Sequence, residues 1–164
     1  MNVFWEELTF GLPEYRQLAQ VIIRITASAI LGAIIGFQRE KTGKPAGLRT
    51  HILVAMGTTV FVLGCANSGM SSDGLSRIIQ GIITGIGFIG AGSILKLNSE
   101  RNIIGLTTAA GIWTTAAVGV TVGLGELGLA IIATILTLIV LSLAGSVESR
   151  IDKTDKNGNG KIEN

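Results

Sequence analysis

The chain has 164 residues, a formal net charge of +2, 48% hydrophobic and 15% charged residues, and 23 glycines. Its mean hydropathy of +0.57 and its excess of apolar and small residues over charge exclude an ordinary soluble domain, and the sparse basic residues exclude a dense nucleic-acid-binding face. One cysteine, Cys65, excludes an internal disulfide.

In chain order, residues 1–17 carry three acids and one Arg, without the basic start and small-residue cleavage site of a secretory signal. They read as an uncleaved external segment, with Phe4, Trp5 and Leu8 either lying on the membrane surface or in a frayed tail. Five apolar stretches then follow, 18–37, 48–66, 78–97, 103–124 and 127–144, each close to the length that crosses a bilayer as a helix. The expected fold is an all-α polytopic transmembrane bundle of five spans occupying 18–146, followed by a polar cytoplasmic tail at 147–164. With five spans, ten of the thirteen basic residues fall in the first connection, the third connection and the tail. Basic residues are retained on the cytoplasmic side, so the N-terminus is expected outside and the C-terminus inside. Anionic lipid headgroups are the natural neighbours of these charges.

In the first span Gln20, Arg24 and Ser28 are four apart and lead on to Gly32 and Gly36, which makes one side of the helix polar and small. An Arg at membrane depth is costly. Arg24 therefore either reaches Asp73, Glu126 or the threonines of the fourth span, or snorkels to the outer surface. At the cytoplasmic end of this span Arg39 and Glu40 meet Arg49, Thr50 and His51, which open the second span. This polar corner is the leading functional candidate, where His51 could sense pH, although a lone His is more often structural.

The third span holds "GIGFIGAGSILK", Gly85 to Lys96, with the G-x-G-x-x-G spacing of a dinucleotide turn. A nucleotide fingerprint needs a strand before it, a helix after it and an acid about 20 residues on. None of these is present, and helix packing explains the glycines better. Gly81 and Gly85, then Gly87 and Ala91, are four apart, as are Gly119 and Gly123 in the fourth span, so a neighbouring backbone can approach closely. Gly90 and Gly92 extend the run, and a break at 85–92 exposing carbonyls to a cation is the alternative. Gln80 is a further polar group at membrane depth in this span.

In the fourth span Thr107, Thr114 and Thr121 recur every seven residues, with Thr108 beside the first. They bond either across helices or back to their own helix. The interior of the spans holds no Asp or Glu, which disfavours a dehydrated Mg²⁺ cage, and no nucleophile with a base, so no enzyme activity and no cofactor are expected. In the tail, Asp155, Asn157 and Asn159 begin like a calcium loop, but the sequence stops before its twelfth-position Glu. A solvated tail is favoured over metal binding.

Three stretches, "AGLRTHILVAMGTTVF" from Ala46, "GIGFIGAGSILK" from Gly85 and "GLTTAAGIWTTAAVGVTVGLG" from Gly105, together resemble the MgtC/SapB family of bacterial inner-membrane proteins, membrane domain only. The resemblance implies a multi-pass protein of the bacterial inner membrane, tied to growth under magnesium limitation and labelled as magnesium transport-related. It also implies an alternative role, binding another membrane complex such as the ATP synthase without transport. The family's Arg-Thr-His is intact at Arg49 to His51, while Thr107 and Thr114 stand where its best-known members have Asn and Cys. Self-association through glycine faces is expected, and nucleic acid is not an expected partner.

Overall fold

A computed structural model describes residues 15–96 and 103–159. The readings made for Phe4, Trp5 and Leu8 lie outside these residues. The described chain forms five helices: α1 Tyr15–Lys41, α2 Leu48–Asn67, α3 Ser72–Gly92, α4 Leu106–Leu124 and α5 Leu127–Asn159. Between α3 and α4, β1 Leu95–Lys96 pairs antiparallel with β2 Ile103–Ile104 in a two-residue ladder. The fold is the all-α membrane bundle that the apolar stretches predict. The first four helices are long and apolar enough to cross a membrane, and α5 contributes a shorter apolar stretch, Leu127–Leu143.

The boundaries shift from the hydropathy reading for local reasons. α3 starts six residues earlier than the apolar stretch, at Ser72, because the Ser71 hydroxyl accepts from the Gly74 amide and caps the first turn. At the other end, Gly105 takes φ +96°, and a Cβ there would strike the Ser93 carbonyl. Only glycine lets the chain leave the ladder and enter α4 at that point. The alternative reading of a break at 85–92 does not hold, since α3 runs unbroken to Gly92. α5 likewise continues past its apolar part to Asn159, so the backbone at Asp155, Asn157 and Asn159 is helical where a calcium loop would need a turn.

α4 is the axis of the bundle, touching each of the other four helices. Lipid tails are as apolar as Leu, so membrane helices gain from close backbone approach rather than from apolar burial. Three helices use it here. A Cβ at Gly32 would lie 2.6 Å from the His51 carbonyl oxygen, and one at Gly36 would lie 2.7 Å from Leu48 Cα, which joins α1 to α2. On the other side of α2, a Cβ at Gly119 would meet the Ala55 carbonyl and the Thr58 hydroxyl, and one at Gly123 would lie 2.7 Å from Val62 Cβ. The apolar core then fills the remaining edges, with Leu31, Ile35, Val118, Val122 and Ala130 in one cluster and Ala46, Ile86, Ile112 and Ala116 in another.

The other predicted glycine face behaves differently. Gly81, Gly85, Gly87 and Gly92 have open space where a side chain would start, and only Gly90 of this run faces a neighbour, with Ala109 Cβ 3.6 Å away. Spacing by four identifies a face that admits close approach, but not which copy of which helix supplies the neighbour.

Candidate functional site

At one end of the bundle the C-terminal turn of α1, the first turn of α2 and the N-terminal turns of α4 converge. Arg39 is brought there by the last turns of α1 and is only 3% exposed. Its Nη2 donates to the Thr108 hydroxyl at 3.3 Å and to the Thr107 hydroxyl at 3.4 Å. His51 is fully buried, and its Nδ1 lies 2.7 Å from the Thr115 hydroxyl, two helical turns deeper along α4 than Thr108. Gly111 separates the two pairs: a Cβ there would lie 3.6 Å from His51 Cε1 and 3.9 Å from Arg39 Nε. A larger residue at 111 would therefore press on both side chains.

The Thr115 hydroxyl also lies 2.9 Å from the Gly111 carbonyl, to which it donates. A hydroxyl has one hydrogen, so while Thr115 donates to Gly111 it accepts from His51 Nδ1–H. Proton position on the ring is thereby tied to the backbone of α4. With Nδ1 protonated, Nε2 has no hydrogen-bond partner among the described residues. The arrangement can hold a buried polar link across three helices and register which ring nitrogen carries a proton.

The predicted corner is divided by the fold. Arg39 and His51 enter the site together. Glu40 instead accepts from the Leu48 amide at 2.9 Å, capping α2 from the end of α1, where no side chain of Gly47 is available to do so. Arg49 is exposed and Thr50 half-buried, and neither joins the buried cluster. Thr114 and Thr121 bond back to Ala110 and Ala117 of their own helix, so of the seven-residue repeat only Thr107 reaches across.

The crossing threonines of the interior are Thr108, Thr115 and, from α2, Thr59, whose hydroxyl donates to the Gly119 carbonyl at 2.7 Å. Thr59 and Thr115 escape a count by sevens from Thr107, although Thr115 lies seven residues after Thr108. The four-residue series Gly111, Thr115, Gly119 and Gly123 in the sequence marks the face on which Thr115 lies. Arg24 resolves differently from every side-chain partner proposed for it: its Nη1 donates to the Gly123 carbonyl at 2.9 Å, at the negative end of α4. Gln80 stands exposed on α3.

The sequence profile described as the MgtC family matches residues 25–150. This chain belongs to the MgtC family. Among curated relatives of that kind, "Putative magnesium transporter YhiD" of Escherichia coli (strain K12) is 44% identical over 81% of this chain and 64% of its own length. Protein SrpB of Synechococcus elongatus is 44% identical over 73% of this chain and 71% of its own. Protein MgtC of Salmonella typhimurium (strain LT2) is 39% identical over 85% of this chain and 59% of its own. The chain thus spans less than two thirds of the length of YhiD and of MgtC. No solved structure matches. The MgtC family match begins in the third turn of α1 and ends within α5, so it contains the whole Arg39–His51 cluster.

Proposed function

We propose that this multi-pass membrane protein serves adaptation to low magnesium by binding another membrane complex, and that it does not itself carry the ion. Family membership and the printed name of YhiD support the link to magnesium. The observation that favours binding over transport is the filled contact between α1, α2 and α4, where glycines bring backbones together and Arg39 and His51 are buried in a closed polar link. Mg²⁺ takes oxygen ligands, usually with one or two carboxylates. Among the described residues no three His, Cys, Asp or Glu side chains gather, and Glu40 is engaged in capping α2. α3, the helix whose glycines suggested a carbonyl-lined break, is continuous.

The proposal places the protein in the bacterial inner membrane with the Arg39 end in the cytoplasm. Arg39, Lys41, Lys44 and Arg49 all lie at that end, as the retention of basic residues on the cytoplasmic side requires. The test is Mg²⁺ entry into proteoliposomes carrying a trapped magnesium-sensitive dye, run beside low-magnesium growth of a strain lacking the gene. The expected result is growth restored by the chain and dye signal equal to that of empty vesicles. Saturable entry above empty vesicles would make it a transporter.

A further inference from the structure

One face of α3 is polar and small along its whole length. Asp73, Arg77, Gln80, Thr84, Gly87 and Ala91 follow one another at intervals of four, three, four, three and four, the spacing that keeps residues on one seam of a packed helix. All six are exposed. A helix face turned to lipid carries large apolar side chains, as α5 does with Leu129, Ile132, Ile135, Leu136 and Ile139. The α3 seam has none.

Gln80 supplies an independent observation. It stands on a membrane-spanning helix, about one turn deeper than Arg77 and two residues inside the apolar stretch that begins at Ile78. Its side-chain amide makes no hydrogen bond to any described residue, while the neighbouring Thr84 hydroxyl is satisfied by the Gln80 carbonyl at 2.9 Å. An amide at that depth needs a polar partner that lipid cannot supply.

We infer that this seam packs against the same seam of a second copy of the chain, forming a parallel α3–α3 pair. Two copies inserted in one membrane share an orientation, so their two-fold axis lies along the membrane normal and α3 meets α3 in parallel. Gln80 then faces Gln80 at one level, and an amide, being both donor and acceptor, satisfies its own kind. Asp73 and Arg77, one turn apart on the seam, make its outer end self-complementary in charge: each Arg77 stands between its own Asp73 and the partner's Asp73. Deeper in, Gly87 and Ala91 leave room for close approach, flanked by Phe88, which is 83% exposed. The face of α3 around Ile79, Ile82 and Ile86 is already used against α4, so the seam is free for this contact. The inference stands apart from the proposed function, since a pair of either a transporter or a regulator could use it.

The test is oxidative cross-linking of the full chain in membranes, in a Cys65→Ser background with single cysteines along α3. Cross-linked dimer is expected for Gln80→Cys, Thr84→Cys and Gly87→Cys, and not for Gly81→Cys, Gly85→Cys or Leu129→Cys. Gln80→Leu should weaken dimerisation about three- to tenfold by energy transfer between labelled copies in liposomes, with Gln80→Asn closer to the parent. Asp73→Arg should weaken it and adding Arg77→Asp should restore it. Cross-links strongest at Gly81, Gly85 or Leu129, an adduct with a different protein at Gln80, or a labelled chain that stays monomeric would each overturn the inference.

Discussion

His51 Nδ1 and the Thr115 hydroxyl lie 2.7 Å apart with both side chains fully buried, and through them the first turn of α2 is bonded to the middle of α4. Replacing Thr115 with Val keeps the shape and removes the hydroxyl, leaving a buried ring nitrogen without its partner, at a cost of about 1–3 kcal/mol. His51→Phe alone should also destabilise. The two losses should not add: a double-mutant cycle by thermal unfolding in detergent is expected to give a coupling of about 1 kcal/mol. Additive losses would mean that the bond contributes nothing of its own.

Arg39 and Arg49 should separate cleanly. Arg39→Lys replaces a planar fork by a single ammonium that cannot address both Thr107 and Thr108 in the same geometry, so low-magnesium growth should fall while the protein still inserts. Arg49→Ala changes an exposed side chain and should leave stability within about 0.5 kcal/mol and growth near that of the parent. Equal growth defects in the two variants would return Arg49 to the site.

The glycines divide into two classes with opposite expectations. Gly36→Ala places a methyl 2.7 Å from Leu48 Cα and 3.0 Å from His51 Cβ, where backbone has to move, and should cost about 1–3 kcal/mol. Gly81→Ala meets nothing within 4 Å and gains helix propensity of up to about 1 kcal/mol. Protein yield and unfolding temperature of the two variants, measured side by side, check the contrast.

Much of this was legible in the sequence, and the misses have physical causes. Gly32, Gly36, Gly119 and Gly123 are correctly read as close-packing positions, whereas Gly81 and Gly85, with the same spacing, face open space in one copy. A spacing rule fixes which residues share a face but carries no information about where that face points. Glu40 reads as a functional acid because its chemistry permits it, yet it is used as a helix cap whose acceptor role depends on how α1 and the Leu48 amide converge. Arg24 eludes a search among side chains because its acceptor is a backbone carbonyl, and every residue has one of those. Thr115 is missed by counting from Thr107 in sevens, although the small residues four before and four after it, Gly111 and Gly119, outline its face.

Arg24 ties α1 to the end of α4. Its bond to the Gly123 carbonyl sits where α4 ends at Gly125, which has φ +93°. Arg24→Lys should keep a cation at that negative helix end, and Arg24→Ala should lose it, at about 0.3–2 kcal/mol. If the Lys variant is no more stable than the Ala variant, the guanidinium geometry rather than its charge is what α4 requires.

The order in which the helices are made is not the order in which they pack. α2 is joined by glycine contacts to α1 on one side and α4 on the other, while α3, synthesised between α2 and α4, lies at the edge. During synthesis the α1–α2 hairpin can close at once, but α3 must wait for much of its own contact surface, which α4 provides. α4 therefore has to reach α2 past a helix already in the bilayer. The turn enforced by Gly105 sets the geometry of that arrival, which makes it a place where a substitution would be felt in the yield of assembled protein before it was felt in the finished bundle.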